Sequence, residues 1–102
     1  MVSEDDILGY ARSLDGVSER TEDGMIIFER EKIFLCVEKG TDPLRIELRC
    51  DRRLSETLQE RYESVMESRA LGRNGIEVIC AGQLSADEVR DLVRHAYEIS
   101  VE

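Results

Sequence analysis

The fold class this sequence predicts is α+β, an antiparallel sheet of about five strands with helices packed on one face, in the order α-β(4)-α-β-α. Three observations predict it. Helical and strand-like periodicities follow one another in that order along the chain. Leu44, Ile46 and Leu48 alternate with Arg45, Glu47 and Arg49, the period of a strand with one wet face. Two stretches with the spacing of a capping box, Ser3 with Asp6 and Ser85 with Glu88, each precede an amphipathic run.

Ile7, Leu8, Ala11 and Leu14 recur at helical spacing after Ser3, so a first helix is expected over about residues 4–14, stopped by Asp15 and Gly16. Residues 17–21 read as a short polar strand before the turn chemistry of Glu22, Asp23 and Gly24. Met25, Ile26, Ile27 and Phe28, then Ile33 to Val37 in numbers 33–37, are β-branched and aromatic runs. The charged tetrad Glu29, Arg30, Glu31, Lys32 between them reads as a hairpin at the centre of the sheet. Gly40, Thr41, Asp42 and Pro43 turn the chain into the alternating strand at residues 44–49.

Asp51 caps a second expected helix, whose apolar stripe is Leu54, Leu58, Tyr62 and Val65. Residues 67–74 are polar and carry Gly72 and the pair Asn74, Gly75, signals for a loop or hairpin turn. Ile76, Glu77, Val78, Ile79 and Cys80 then form the fifth expected strand, ended by Gly82. Val89, Leu92, Val93, Ala96 and Tyr97 give the last helix its buried face.

A chain of 102 residues suffices for one core, so a single domain over residues 1–102 is expected. Apolar residues at 41% supply that core, and charged residues at 36% supply a soluble shell. No apolar run approaches the roughly 20 residues that span a bilayer. The opening Met1, Val2, Ser3, Glu4, Asp5, Asp6 is acidic where a secretory signal is basic, so a cytoplasmic monomer without membrane contact is expected. Cys36, Cys50 and Cys80 are odd in number and far apart, a pattern of reduced buried thiols. The net charge of −9 repels phosphate backbones and disfavours nucleic acid as a partner.

The run Leu48, Arg49, Cys50, Asp51, then Leu54, Leu58 and Tyr62, resembles the strand-to-helix junction of the MmcQ/YjbR family of small bacterial proteins. In that family a lysine-cysteine-aspartate-proline step precedes a leucine-rich, tyrosine-ended helix; Arg49 and Arg52 stand at its lysine and proline. Val78, Gly82, Leu84, Asp87, Glu88, Leu92, Val93, His95, Tyr97 and Val101 are similar to the family's closing strand and helix without gaps. The resemblance implies an α+β sandwich akin to that of frataxin (CyaY-like). It also implies a double-winged DNA-binding architecture, which is proposed for some members. Their loop between the two blocks is rich in histidine, lysine, tryptophan and asparagine; here Arg69, Gly72, Asn74 and Gly75 occupy it, which weakens the DNA-binding expectation.

Chemistry is thinly supplied. His95 is the only histidine, so no second imidazole is at hand for a nucleophile dyad, and no catalytic function is expected. Cys50 borders a helix start beside Arg49, Arg52 and Arg53, which would lower a thiol pKa, whereas burial as an apolar filler would raise it. No glycine-rich phosphate loop of the required spacing is present, and no cofactor or resident metal is expected. Seven acids among the first 23 residues face only Arg12 and Arg20; the patch loosely resembles the acidic ridge by which frataxin-fold proteins hold iron, so iron binding through the acidic amino-terminal helix is the second alternative reading. The leading expectation is a non-catalytic binding or interaction module with an unidentified protein or small-molecule partner. It would act through the open face of the sheet or the segment 67–75, with Arg45, Arg49, Arg69, Arg73 and His95 as contact residues. A nucleic-acid reading would add Arg52 and Arg53.

Overall fold

The computed structural model describes residues 2–101. Helix α1 (Glu4–Arg12) is followed by strands β1 (Ser18–Glu22), β2 (Met25–Arg30), β3 (Lys32–Glu38) and β4 (Leu44–Arg49). Helix α2 (Arg52–Arg61), strands β5 (Val65–Ser68) and β6 (Gly72–Cys80), and helix α3 (Ala86–Ile99) complete the chain. The six strands form one antiparallel sheet in the order β1-β2-β3-β4-β6-β5, with the helices packed on it.

Both expected capping boxes form. Ser3 Oγ accepts from the Asp6 amide at 3.1 Å while the Asp6 carboxylate accepts from the Ser3 amide, and Ser85 with Glu88 does the same for α3. These satisfy donors that a bare helix start would leave unpaired. Helix α1 stops at Arg12, two residues before the expected Leu14, because the Ser13 and Leu14 amides turn back to the carbonyls of Tyr10 and Ala11 in a tight final turn.

Cross-strand register sorts the sheet into two faces. Ile26, Val37, Ile46, Val78 and Val65 form one directly opposed row across five strands. Phe28, Leu35, Leu48 and Ile76 form the next on the same side. All nine are buried, and with Ile7, Ala11, Val89, Val93 and Ala96 they make the core. Burying each large aliphatic or aromatic side chain stabilises the fold by about 1.5–3 kcal/mol. A register shift at Phe28 and Glu29 leaves Phe34 without an opposed partner; its ring is fully buried, edge-on to Tyr97 at 5.7 Å. Tyr97 in turn donates its hydroxyl to the Asp15 carbonyl at 2.6 Å, which ties α3 to the end of α1.

The expected antiparallel sheet of about five strands is present and has six, the sixth being β5. Val65 belongs to β5, not to the α2 stripe, and α2 ends at Arg61 because Tyr62 is extended. The polar segment 67–74 is therefore the middle of a β5–β6 hairpin, with Gly72 at φ 58°. Gly75 lies inside β6, not in a turn, and is a close-packing position: an added Cβ would sit 2.6 Å from the Leu48 carbonyl oxygen. The docking of α2 is also lighter than its stripe suggests, since Leu54, Leu58 and Tyr62 are only partly buried. Among the described residues no helix is long and apolar enough to cross a membrane.

Candidate functional site

On the helix-free side, one row of directly opposed residues crosses all six strands: Arg20, Ile27, Cys36, Glu47, Glu77 and Met66. Alternation adds Met25, Arg45, Arg49 and Ile79 to this face. The expected wet face is thus corrected at its centre, where Glu47 is 5% exposed and Glu77 only 2%. The β5–β6 connection, residues 69–71, folds over both carboxylates and shields them. Glu47 Oε1 accepts from the Ser68 hydroxyl at 2.7 Å and from the Ala70 amide at 2.9 Å. The Leu71 amide donates back to Ser68 Oγ at 2.9 Å, closing the turn.

Two of the expected contact residues converge on Glu77. Arg45 Nη1 donates to Oε2 at 3.1 Å and Arg69 Nε donates to Oε1 at 3.0 Å, from positions 32 and 8 residues away in sequence. The Arg69 guanidinium is held above its ordinary pKa, first by the hydrogen bond to Glu77 and then by the charges of Glu77, Glu47 and Glu38. Charge pairing offsets the desolvation of the buried Glu77 carboxylate, and the outer parts of both arginines remain exposed.

The other three expected residues lie elsewhere. Arg49 is on the same face but spends its Nε on the Ile33 carbonyl at 2.8 Å, which stitches β4 to the start of β3. Arg73 makes no bond to that network and lines a cleft of about 310 Å³ with Arg52, Ser55, Glu56, Gln59 and Glu67. His95 Nε2 accepts from the Asp51 amide at 3.3 Å, so its neutral form carries the proton on Nδ1. It borders a shallow apolar groove between α2 and α3 formed by Leu54, Leu58, Leu84 and Leu92.

Cys50 resolves in favour of burial. Desolvation, helped by the Asp51 charge, pushes its thiol up to about 11, so the helix start does not make it a thiolate. Burial raises Cys36 and Cys80 to about 11 as well, and all three thiols are free. The acidic amino terminus is engaged in structural bonds: Glu4 Oε1 accepts from the Gly40 amide at 3.1 Å and Asp6 caps α1. Among the described residues no group of three or more His, Cys, Asp or Glu side chains is arranged to hold a metal ion.

Sequence reasoning missed Glu47, Glu77, Ser68 and Ser55. The only signal was a lone acid inside each strand pattern, Glu77 between Ile76 and Val78 and Glu47 between Ile46 and Leu48. Such an acid marks either a wet face or a buried polar network, and periodicity does not separate the two.

No family model matches this chain, and no curated protein does. Solved structures do. The crystal structure of Deinococcus radiodurans protein DR2400, with family-model domain DUF419, matches 96% of this chain and 78% of its own at a TM-score of 0.88 and 20% identity. A Pseudomonas syringae protein matches 97% of this chain and 99% of its own at a TM-score of 0.78 and 15% identity. At these identities the likeness is one of fold, an α+β fold that this chain shares with them.

Proposed function

We propose that this chain is a non-catalytic, cytoplasmic binding module of the MmcQ/YjbR type that engages a protein partner through the helix-free face of its sheet. The observation that carries the reading is the helix-free face, where the cross-sheet row from Arg20 to Met66 has a polar centre, and half-buried Ile27 and Met66 of that row with Met25 and Ile79 beside it are covered by no helix of the described residues. An apolar margin around oriented charges is the composition of a contact surface. Two further observations support the absence of catalysis. The sole imidazole has its Nε2 occupied by the Asp51 amide, and the thiols are held protonated near neutral pH. The nucleic-acid reading ranks below it, because Arg45, Arg49 and Arg69 are already bonded within the protein and the chain carries a net charge of −9.

The test is capture of partners at native expression level with three versions of the chain. Wild type and an Arg53→Glu variant, changed at an exposed residue of α2, should bring down the same proteins. A variant carrying Ile27→Lys and Ile79→Lys on the sheet face should lose them while unfolding at a similar temperature. Recovery of the same proteins by the sheet-face variant refutes the reading. So does their loss with Arg53→Glu alone.

A further inference from the structure

The cleft between α2 and the β5–β6 hairpin is lined by two arginines, Arg52 and Arg73, and two glutamates, Glu56 and Glu67. Among the described residues these four make no ion pair, with one another or with any other side chain. Elsewhere on this surface pairing is mixed: Arg12 pairs with Glu19 at 2.7 Å and Arg20 with Glu29 at 2.7 Å, whereas exposed Arg53 and Glu60 on α2 make no ion pair among the described residues. Ser55, 4% exposed, belongs to the same lining. Gln59 Nε2 donates to Ser55 Oγ at 2.9 Å, and neither the Ser55 hydroxyl proton nor Gln59 Oε1 has a hydrogen-bond partner within the described protein. The cleft therefore offers two cations and two anions with no ion pair among them and, beside the hydrogen bond from Gln59 to Ser55, one neutral donor and one neutral acceptor.

We propose that this cleft binds a small zwitterion of the α-amino-acid type. Its carboxylate would lie between Arg52 and Arg73, and its ammonium would be received by Glu56 and Glu67. A guanidinium presents paired donors that match a carboxylate, and a carboxylate accepts from an ammonium. A plain anion would meet the two glutamates and a plain cation the two arginines, so a ligand bearing both charges is favoured over either alone. The volume of about 310 Å³ lies at the small end for ligand pockets, which suits a free amino acid or a dipeptide over a nucleotide. The site is separate from the sheet-face surface proposed above and stands or falls independently of it.

The experiment is titration of the isotope-labelled full chain, followed by backbone amide shifts, with four probes: L-alanine, L-alanyl-L-alanine, acetate and ethylammonium. The expected result is saturable shifts at Arg52, Ser55, Gln59, Glu67 and Arg73 with at least one zwitterion, and at least about tenfold weaker binding of acetate and ethylammonium. Preference between alanine and alanylalanine tells a free amino acid from a peptide. Arg52→Gln and Glu56→Gln, both at exposed side chains, should each weaken the zwitterion by about tenfold while unfolding at a similar temperature to wild type. The proposal is overturned if neither zwitterion saturates, if either single-charge probe matches it in affinity, or if both variants bind as wild type does.

Discussion

Glu47 and Glu77 stand directly opposite one another on β4 and β6, two buried carboxylates that satisfy their charge in different ways. Like charges at opposed positions destabilise a sheet. Glu77 answers this with two guanidiniums, from Arg45 and Arg69, whereas Glu47 takes only neutral donors, the Ser68 hydroxyl and the Ala70 amide.

That asymmetry predicts an order of effects. Glu77→Gln removes the charge that both arginines approach and should lower stability by about 1–3 kcal/mol. Glu47→Gln retains an amide oxygen for Ser68 and Ala70 and relieves the opposed charge, so it should change stability by less than Glu77→Gln. Urea unfolding of the two variants checks this, and the reverse order refutes the assignment of roles.

Two glycine-to-alanine changes should act in opposite directions. At Gly75 the new methyl would meet the Leu48 carbonyl oxygen at 2.6 Å and Leu71 side-chain atoms at 2.9 Å, so Gly75→Ala should cost about 1–3 kcal/mol by overpacking. At Gly9, on α1, an added Cβ would meet nothing within 4 Å, so Gly9→Ala should stabilise by about 0.5–1 kcal/mol through helix propensity. Thermal unfolding of both variants measures the contrast.

The thiols set an alkaline limit. Each is pushed from 9.0 to about 11 in the fold, chiefly by desolvation, so between those values the unfolded chain releases protons that the native chain holds. Stability should therefore fall as pH rises from about 9 towards about 11. Serine in place of the cysteines would flatten that limb. At pH 8 the native protein should react slowly with a thiol reagent and the urea-unfolded protein quickly; rapid native labelling at Cys50 would contradict its burial.

On the acid side the two capping carboxylates matter. Asp6 and Glu88 lie below their ordinary values of 3.8 and 4.5, first because of the hydrogen bonds from the Ser3 and Ser85 amides. Their contribution is present above those values and is lost as pH falls through the lowered folded pKa. Asp6→Asn with Glu88→Gln should make stability less sensitive to pH below about 4.5, as read from unfolding at successive pH values. Independently, Ser85→Ala should cost about 1 kcal/mol through loss of the α3 cap.

The sequence alone determined the α+β class, the capped starts of α1 and α3, the central strands β2 to β4 and the side of the sheet that the helices cover, because periodicity states which face of an element avoids water. It did not determine β5: Val65 falls in register with Leu54, Leu58 and Tyr62, and only pairing with Val78 makes it a strand. Nor did it separate Arg45 and Arg69, which meet on Glu77, from Arg73, which shares a cleft with Arg52 instead. Which distant side chains meet depends on strand register and on the path of the 69–71 connection. Those are fixed by packing of the whole chain, where Gly75 leaves room for the Leu71 side chain in the connection whose Ala70 amide reaches Glu47, and no local spacing records that approach.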